Sequence, residues 1–107
     1  MTDSKRRLLD FIENFKFLGR RIKINEAISR NKNNFDRHFT SFSNFEFIVE
    51  SVGIRYSGAK ICFNNQNLNY EISFDAINEF SERGNNEYQL IEILSENVYR
   101  KTTLSFL

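Results

Sequence analysis

The hydrophobic period of this chain changes at Gly53, and that change limits the folds open to it. Before Gly53 the large apolar residues recur every three or four positions, and after it they recur mostly every second position. The first spacing lines up side chains on one stripe of a helix, and the second lines them up on one face of a strand. A helical front and a stranded back predict an α+β domain.

The clearest helical segment is "SKRRLLDFIENFKFL" at residues 4–18. Leu8, Phe11, Ile12, Phe15 and Leu18 share one side, with Asp3 or Ser4 as the cap and Gly19 as the residue that ends the helix. "RRIKI" at 20–24 reads as a short strand or extended connector, followed by a brief helix at 25–31. The aromatic stretch "NNFDRHFTSFSNFEFIVESVG" at 33–53 sets Phe35, Phe39, Phe42, Phe45, Val49 and Val52 at three- and four-residue intervals. Ser43 and Glu46 have the spacing of a capping box, with Phe42 as its staple. These signals predict two consecutive helices at 34–40 and 44–52, with their phenylalanine stripe in the core. Phe47 leaves the stripe and is expected to be exposed or to join a secondary core.

Beyond Gly53, "IRY", "AKICFN" and "LNYEISF" predict strands at 54–56, 59–64 and 68–74, turned at Gly58 and at the Asn/Gln run 64–67. Asp75 looks like the cap of a short helix at 76–82 that buries Ile77 and Phe80 before "RGNN". "EYQLIEIL" at 87–94 and "VYRKTTLSF" at 98–106 predict a terminal hairpin turned at Glu96-Asn97. The expected fold is a single domain over residues 1–107. Its N-terminal helices pack on one face of a mainly antiparallel four- or five-stranded sheet.

Composition narrows function mostly by exclusion. The formal charge is +1, from 15 basic and 14 acidic groups, so the chain as a whole is not a polycation. The distribution is uneven: residues 1–53 carry ten Lys/Arg against seven Asp/Glu, and residues 54–107 carry five against seven. Cys62 is the single cysteine, which excludes an internal disulfide, and its neighbours Ile61 and Phe63 predict a buried thiol in a strand. "MTDSKRRLL" has charge without a following apolar segment, and no run is long enough to span a bilayer. The expected setting is therefore cytoplasmic.

One His and one Cys do not make a metal set, and the dispersed glycines form no phosphate loop, so no metal and no cofactor are expected. Asp36-Arg37-His38 has the residue types of acid–base catalysis without a nucleophile or substrate anchor, and the chain reads as a non-enzyme. A small protein-interaction domain is the expected class, of the kind in which an inhibitor or immunity-type protein binds and occludes a toxin or another macromolecule. Arg20, Arg21, Arg37, Tyr56, Tyr88 and Tyr99 are its candidate exposed anchors, because Arg and Tyr bury area while keeping polar contacts. The alternative is a nucleic-acid-binding accessory or regulatory protein that uses Lys5, Arg6, Arg7, Lys16, Arg20, Arg21 and Lys23 on backbone phosphates. The terminal "LSFL" leaves two outcomes, pairing in a homodimer or completing the sheet.

Overall fold

The computed structural model describes residues 2–33, 35, 41–55 and 58–107. Among them the chain forms one α-helix, α1 (Asp3–Glu13), and eight strands. The strands are β1 (Arg21–Ser29), β2 (Ser41–Ile48), β3 (Ser51–Arg55), β4 (Lys60–Asn64), β5 (Asn69–Ser73), β6 (Ile77–Gly84), β7 (Glu87–Ser95) and β8 (Val98–Phe106). Every pairing is antiparallel, in a five-stranded sheet of order β2-β1-β8-β7-β6 and a three-stranded sheet of order β3-β4-β5. The α+β class is as expected; its balance is not, since strands take much of what reads as helix.

Helix α1 is shorter than its periodicity predicts and is capped by Thr2, whose hydroxyl accepts the Lys5 N–H at 3.2 Å. It buries Leu8 and Ile12, sets Phe11 against both Phe80 and Tyr88, and packs against β6. Gly19 does not end it. With φ at +81° Gly19 forms the turn into β1, where its N–H donates to the Val49 carbonyl at 2.7 Å.

Three predicted helices are strands, and each error has a local cause. The 25–31 segment continues β1, whose alternation of buried Ile22 and Ile24 is interrupted by Glu26, an inward-facing polar residue. In the 44–52 segment, Phe45, Phe47 and Val49 also satisfy a two-residue period, and β2 and β3 follow that period around a corner at Val49-Glu50. Gly53 closes nothing and lies within β3. At 76–82, a 3-10 turn (Phe74–Ala76) precedes β6, and a register shift between Ile77 and Glu79 returns Ile77 and Phe80 to one face. A β-bulge thus imitates a helical three-residue spacing. The predicted helix at 34–40, with Phe39 and His38, falls outside the described residues but for Phe35, which lies in no regular element and takes the Lys101 ammonium 4.9 Å from its ring centre.

The strand expected at 54–56 starts earlier, as β3, while those expected at 59–64, 68–74, 87–94 and 98–106 lie close to the observed β4, β5, β7 and β8. The Asn/Gln turn closes with Asn65 and Leu68 exchanging backbone hydrogen bonds, and Asn97 takes the positive φ (+60°) that the β7–β8 hairpin needs. Cys62 is buried in β4, as its neighbours suggest. Leu104 and Phe106 are buried in β8, in the middle of the larger sheet, so "LSFL" finishes that sheet and offers no edge.

Register gives the inner face of the larger sheet a gradient from apolar to polar. One row aligns Phe47, Ile22 and Phe106; the next aligns Phe45, Ile24, Leu104 and Tyr88. The row after that carries Ser43, Glu26, Thr102, Leu90 and Phe80, and the last carries Ser41, Ile28, Arg100, Glu92 and Ile77. The apolar end closes over Phe11, Phe15, Phe17 and Phe63, with Phe17 stacked on Phe106 at 4.2 Å. The polar end meets β5.

Candidate functional site

At that polar end a charged network joins the two sheets. Glu92 is fully buried, and Arg100 reaches it with a two-point contact: Nε to Oε1 at 2.8 Å and Nη2 to Oε2 at 2.8 Å. The paired geometry of guanidinium and carboxylate makes these strong hydrogen bonds. Arg100 also lies 3.4 Å from Glu26 and donates through Nη2 to the Glu71 carbonyl at 3.0 Å. Glu92 Oε2 accepts the Ser73 N–H at 2.9 Å. Burial alone would lower the Arg100 guanidinium; the hydrogen bonds and charge of Glu92 outweigh it and raise it above its ordinary value.

Tyr70 completes the network from β5. Its hydroxyl donates to Glu26 Oε2 at 2.8 Å, so the Thr102 hydroxyl, 2.9 Å away, is the donor to the tyrosine oxygen. Burial pushes the Tyr70 hydroxyl well above the usual tyrosine range, and the neighbouring Glu26 adds to the shift. Two carboxylates face one guanidinium here, and the excess negative charge rests on the Tyr70 O–H and the Ser73 N–H.

This network has a structural task that its geometry makes plain. The Phe74 N–H donates to Ala59 in the turn before β4, so even-numbered residues of β5 turn their backbone groups toward β4. Glu71 and Ser73 therefore point theirs to the free edge of the small sheet. There the Arg100 guanidinium meets the Glu71 carbonyl and the Glu92 carboxylate meets the Ser73 N–H. The ion pair takes the place of a neighbouring strand.

The free edge of β2 is built differently. The Val49 N–H donates to the Arg20 carbonyl at 3.0 Å, which turns odd-numbered residues of the strand toward β1. Phe42, Asn44, Glu46 and Ile48 consequently direct their backbone groups outward. Among the described residues only the Ile48 carbonyl has a partner there, the Asn65 side-chain amide at 3.0 Å. Phe42 is 53% exposed and Ile48 37% exposed on the outer face, and Phe45 is 39% exposed on the inner face, 5.9 Å from the Tyr70 ring. The sequence expectation is reversed: Phe42 and Phe45 reach solvent while Phe47 is buried, because a strand puts Phe42 and Phe45 on opposite faces.

The expected anchor residues do not converge. Arg20 stacks on Phe17 and donates to the Leu107 carbonyl at 2.8 Å, and Arg21 pairs with Glu46 at 3.5 Å. Tyr88 is not the exposed anchor its type suggests: it is buried against Phe11 and Phe80. Burial raises its hydroxyl pKa, and nearby Glu82 adds to the effect. Tyr99 is half-buried opposite Ser29, eight residues along the register from Arg21, or about 26 Å at strand rise. Arg37 and Tyr56 fall outside the described residues.

The basic set is likewise divided. Arg7 pairs with Asp3, Lys5 lies over Phe74, Lys16 over Phe17, and Lys23 faces Glu46 across the β1–β2 ladder. Arg6 is exposed on α1. Arg7 and Lys16 share a cleft of about 450 Å³ with Asp10, Glu82 and the Phe11, Phe80 and Tyr88 rings, so its rim carries both signs of charge.

The network residues have a sequence signal that function-first reading passes over. Arg100 and Thr102 occupy the same phase as Leu104 and Phe106, and Glu92 the same phase as Tyr88 and Leu90. A charged residue on the apolar phase of each of two neighbouring strands marks a buried pair. Among the described residues no group of three or more His, Cys, Asp or Glu side chains is placed to hold a metal ion, and no helix is long and apolar enough to cross a membrane. Compared with known proteins, the chain matches no family model, no curated protein and no solved structure at a significant level.

Proposed function

We propose that this chain is a protein-interaction domain that docks its partner along β2. The observation that carries this reading is the open edge of β2, with its outward backbone groups and its exposed Phe42, Phe45 and Ile48. An extended segment added there gains main-chain hydrogen bonds from the edge and specificity from the alternating side chains. Occlusion of a macromolecule by an inhibitor or immunity-type protein is a form that such docking takes.

The nucleic-acid alternative has weaker support, since Arg7 and Arg21 are paired with carboxylates and Arg20 is bonded to Leu107. Capture of binding partners by the purified protein separates the two readings. Protein docking at β2 is expected to persist in salt and to be lost in Phe42→Lys and Phe45→Lys. Binding that falls steeply with salt and is lost on charge reversal at Arg20 and Arg21 would replace it with nucleic-acid binding.

A further inference from the structure

We propose that the occupant of the β2 edge is β2 of a second copy, in an antiparallel pair whose twofold axis passes through Phe45. The proposal rests on the reading of β2 as a protein-docking strand and specifies its partner.

The sheets have four edges, and three are protected. On β5, Arg100 occupies the Glu71 carbonyl and Glu92 the Ser73 N–H. On β6, two register shifts break the strand and α1 packs beside it. Strand β3 is only five residues long. Short strands, bulges and covering elements are the usual protections of an edge, as are lysine and proline. Among the described residues the β2 strand "SFSNFEFI" has none of these over its eight residues, and its one charge, Glu46, is held by Arg21.

Self-complementarity identifies the occupant. A twofold axis normal to the sheet keeps each face continuous, so residues that oppose one another must both be odd or both be even. Centred on Phe45, the pairing sets Phe42 of one copy against Ile48 of the other on the outer face. Asn44 then opposes Glu46, an amide donor beside a carboxylate, and on the inner face Phe45 meets its own counterpart. All three exposed apolar residues of β2 are covered by apolar partners. Centring on Asn44 would set Phe42 against Glu46, and centring on Glu46 would set Ile48 against Asn44. The backbone agrees, because the hydrogen-bonded pairs of the Phe45 register are Phe42 with Ile48 and Asn44 with Glu46, the four residues that face outward. The Ile48 carbonyl keeps its Asn65 contact while accepting on its second lone pair.

Sedimentation equilibrium and register-specific crosslinking test this. The wild-type chain is expected at twice its mass of 12.8 kDa. Phe45→Lys places two ammonium groups face to face, and is expected to raise the dissociation constant about 30-fold or more. Phe45 opposes itself at a pair without direct hydrogen bonds, where Cα atoms lie about 4.5 Å apart, a separation that permits a disulfide. In a Cys62→Ser background, F45C is therefore expected to crosslink to itself under mild oxidation. F42C and I48C are expected to crosslink only when mixed, since like positions lie about 20 Å apart in this register.

A dimer that crosslinks through F42C alone, or that survives Phe45→Lys unchanged, overturns the proposed register. A monomer at every concentration overturns the dimer; amide exchange then judges the underlying reading. If the Phe42, Asn44, Glu46 and Ile48 amides slow only when another protein is bound, the occupant is foreign and strand docking stands. If they exchange freely in every state, both proposals fall.

Discussion

Strand β5 is an edge of the smaller sheet and β2 an edge of the larger one, and the chain treats the two in opposite ways. Two outward groups of β5, the Ser73 N–H and the Glu71 carbonyl, are met by Glu92 and Arg100, side chains drawn from the opposing sheet. The outward groups of β2 meet almost nothing among the described residues, and its apolar side chains reach solvent. A backbone group buried without a partner costs free energy, so β5, pressed against the large sheet, had to be satisfied internally. The outward groups of β2 are not pressed against another sheet, so solvent can satisfy them where no partner strand does. The difference separates an edge closed within the fold from the edge proposed above for association.

The largest expected effect comes from breaking the β5 arrangement. Arg100→Met leaves Glu92 as a buried carboxylate without its counter-charge and is expected to cost about 3–5 kcal/mol in urea unfolding. The double variant Arg100→Met/Glu92→Leu sharpens the point. If the ions served only each other, apolar replacement would restore stability. Because the Ser73 N–H and the Glu71 carbonyl lose their partners too, the double variant is expected to remain about 1–3 kcal/mol below wild type.

Tyr70→Phe is expected to cost about 1–2 kcal/mol, since it removes the hydroxyl between Glu26 and the buried Thr102. The same residue gives a pH signature. Tyrosines of the unfolded chain ionise near 10.0, whereas Tyr70 in the folded protein ionises above that value. The unfolded chain therefore releases its proton first, and the stability that Tyr70 contributes, full below that pH, falls as pH rises beyond it. Urea midpoints between pH 9 and pH 11 are expected to fall less steeply in Tyr70→Phe than in wild type.

The smallest effect on folding is expected at the other edge. Phe42→Ser removes an exposed ring and is expected to shift the stability of the separated chain by less than about 0.5 kcal/mol. Its association is expected to be lost nonetheless. A large fall in intrinsic stability would mean that Phe42 belongs to the core and that β2 is not a docking edge.

Legibility along the chain follows this same division. The strands at 59–64, 68–74, 87–94 and 98–106 can be read from alternation because their inward residues are mostly apolar and their turns use Asn in its favoured conformations. Strand β1 is cut short in the sequence by Glu26, whose partners Tyr70 and Arg100 lie far along the chain. Strand β6 resembles a helix because a bulge changes its phase, and β2 because Phe42 and Phe45 are three residues apart on opposite faces. The candidate interface is hidden in the sequence for that reason: helical spacing gives those two phenylalanines the look of core residues.

Local pattern alone marks the chain as α+β, α1 as amphipathic, Cys62 as buried in a strand and the C-terminal half as mainly antiparallel. Those properties are local, since period, capping and turn chemistry act over a few residues. The meeting of Glu26, Glu92 and Arg100 over the β5 edge, and the place of β2 as an edge strand open among the described residues, arise from the packed fold. Those outcomes depend on register and strand order, which bring Glu26 and Arg100 together from 74 positions apart in sequence and which no local pattern specifies.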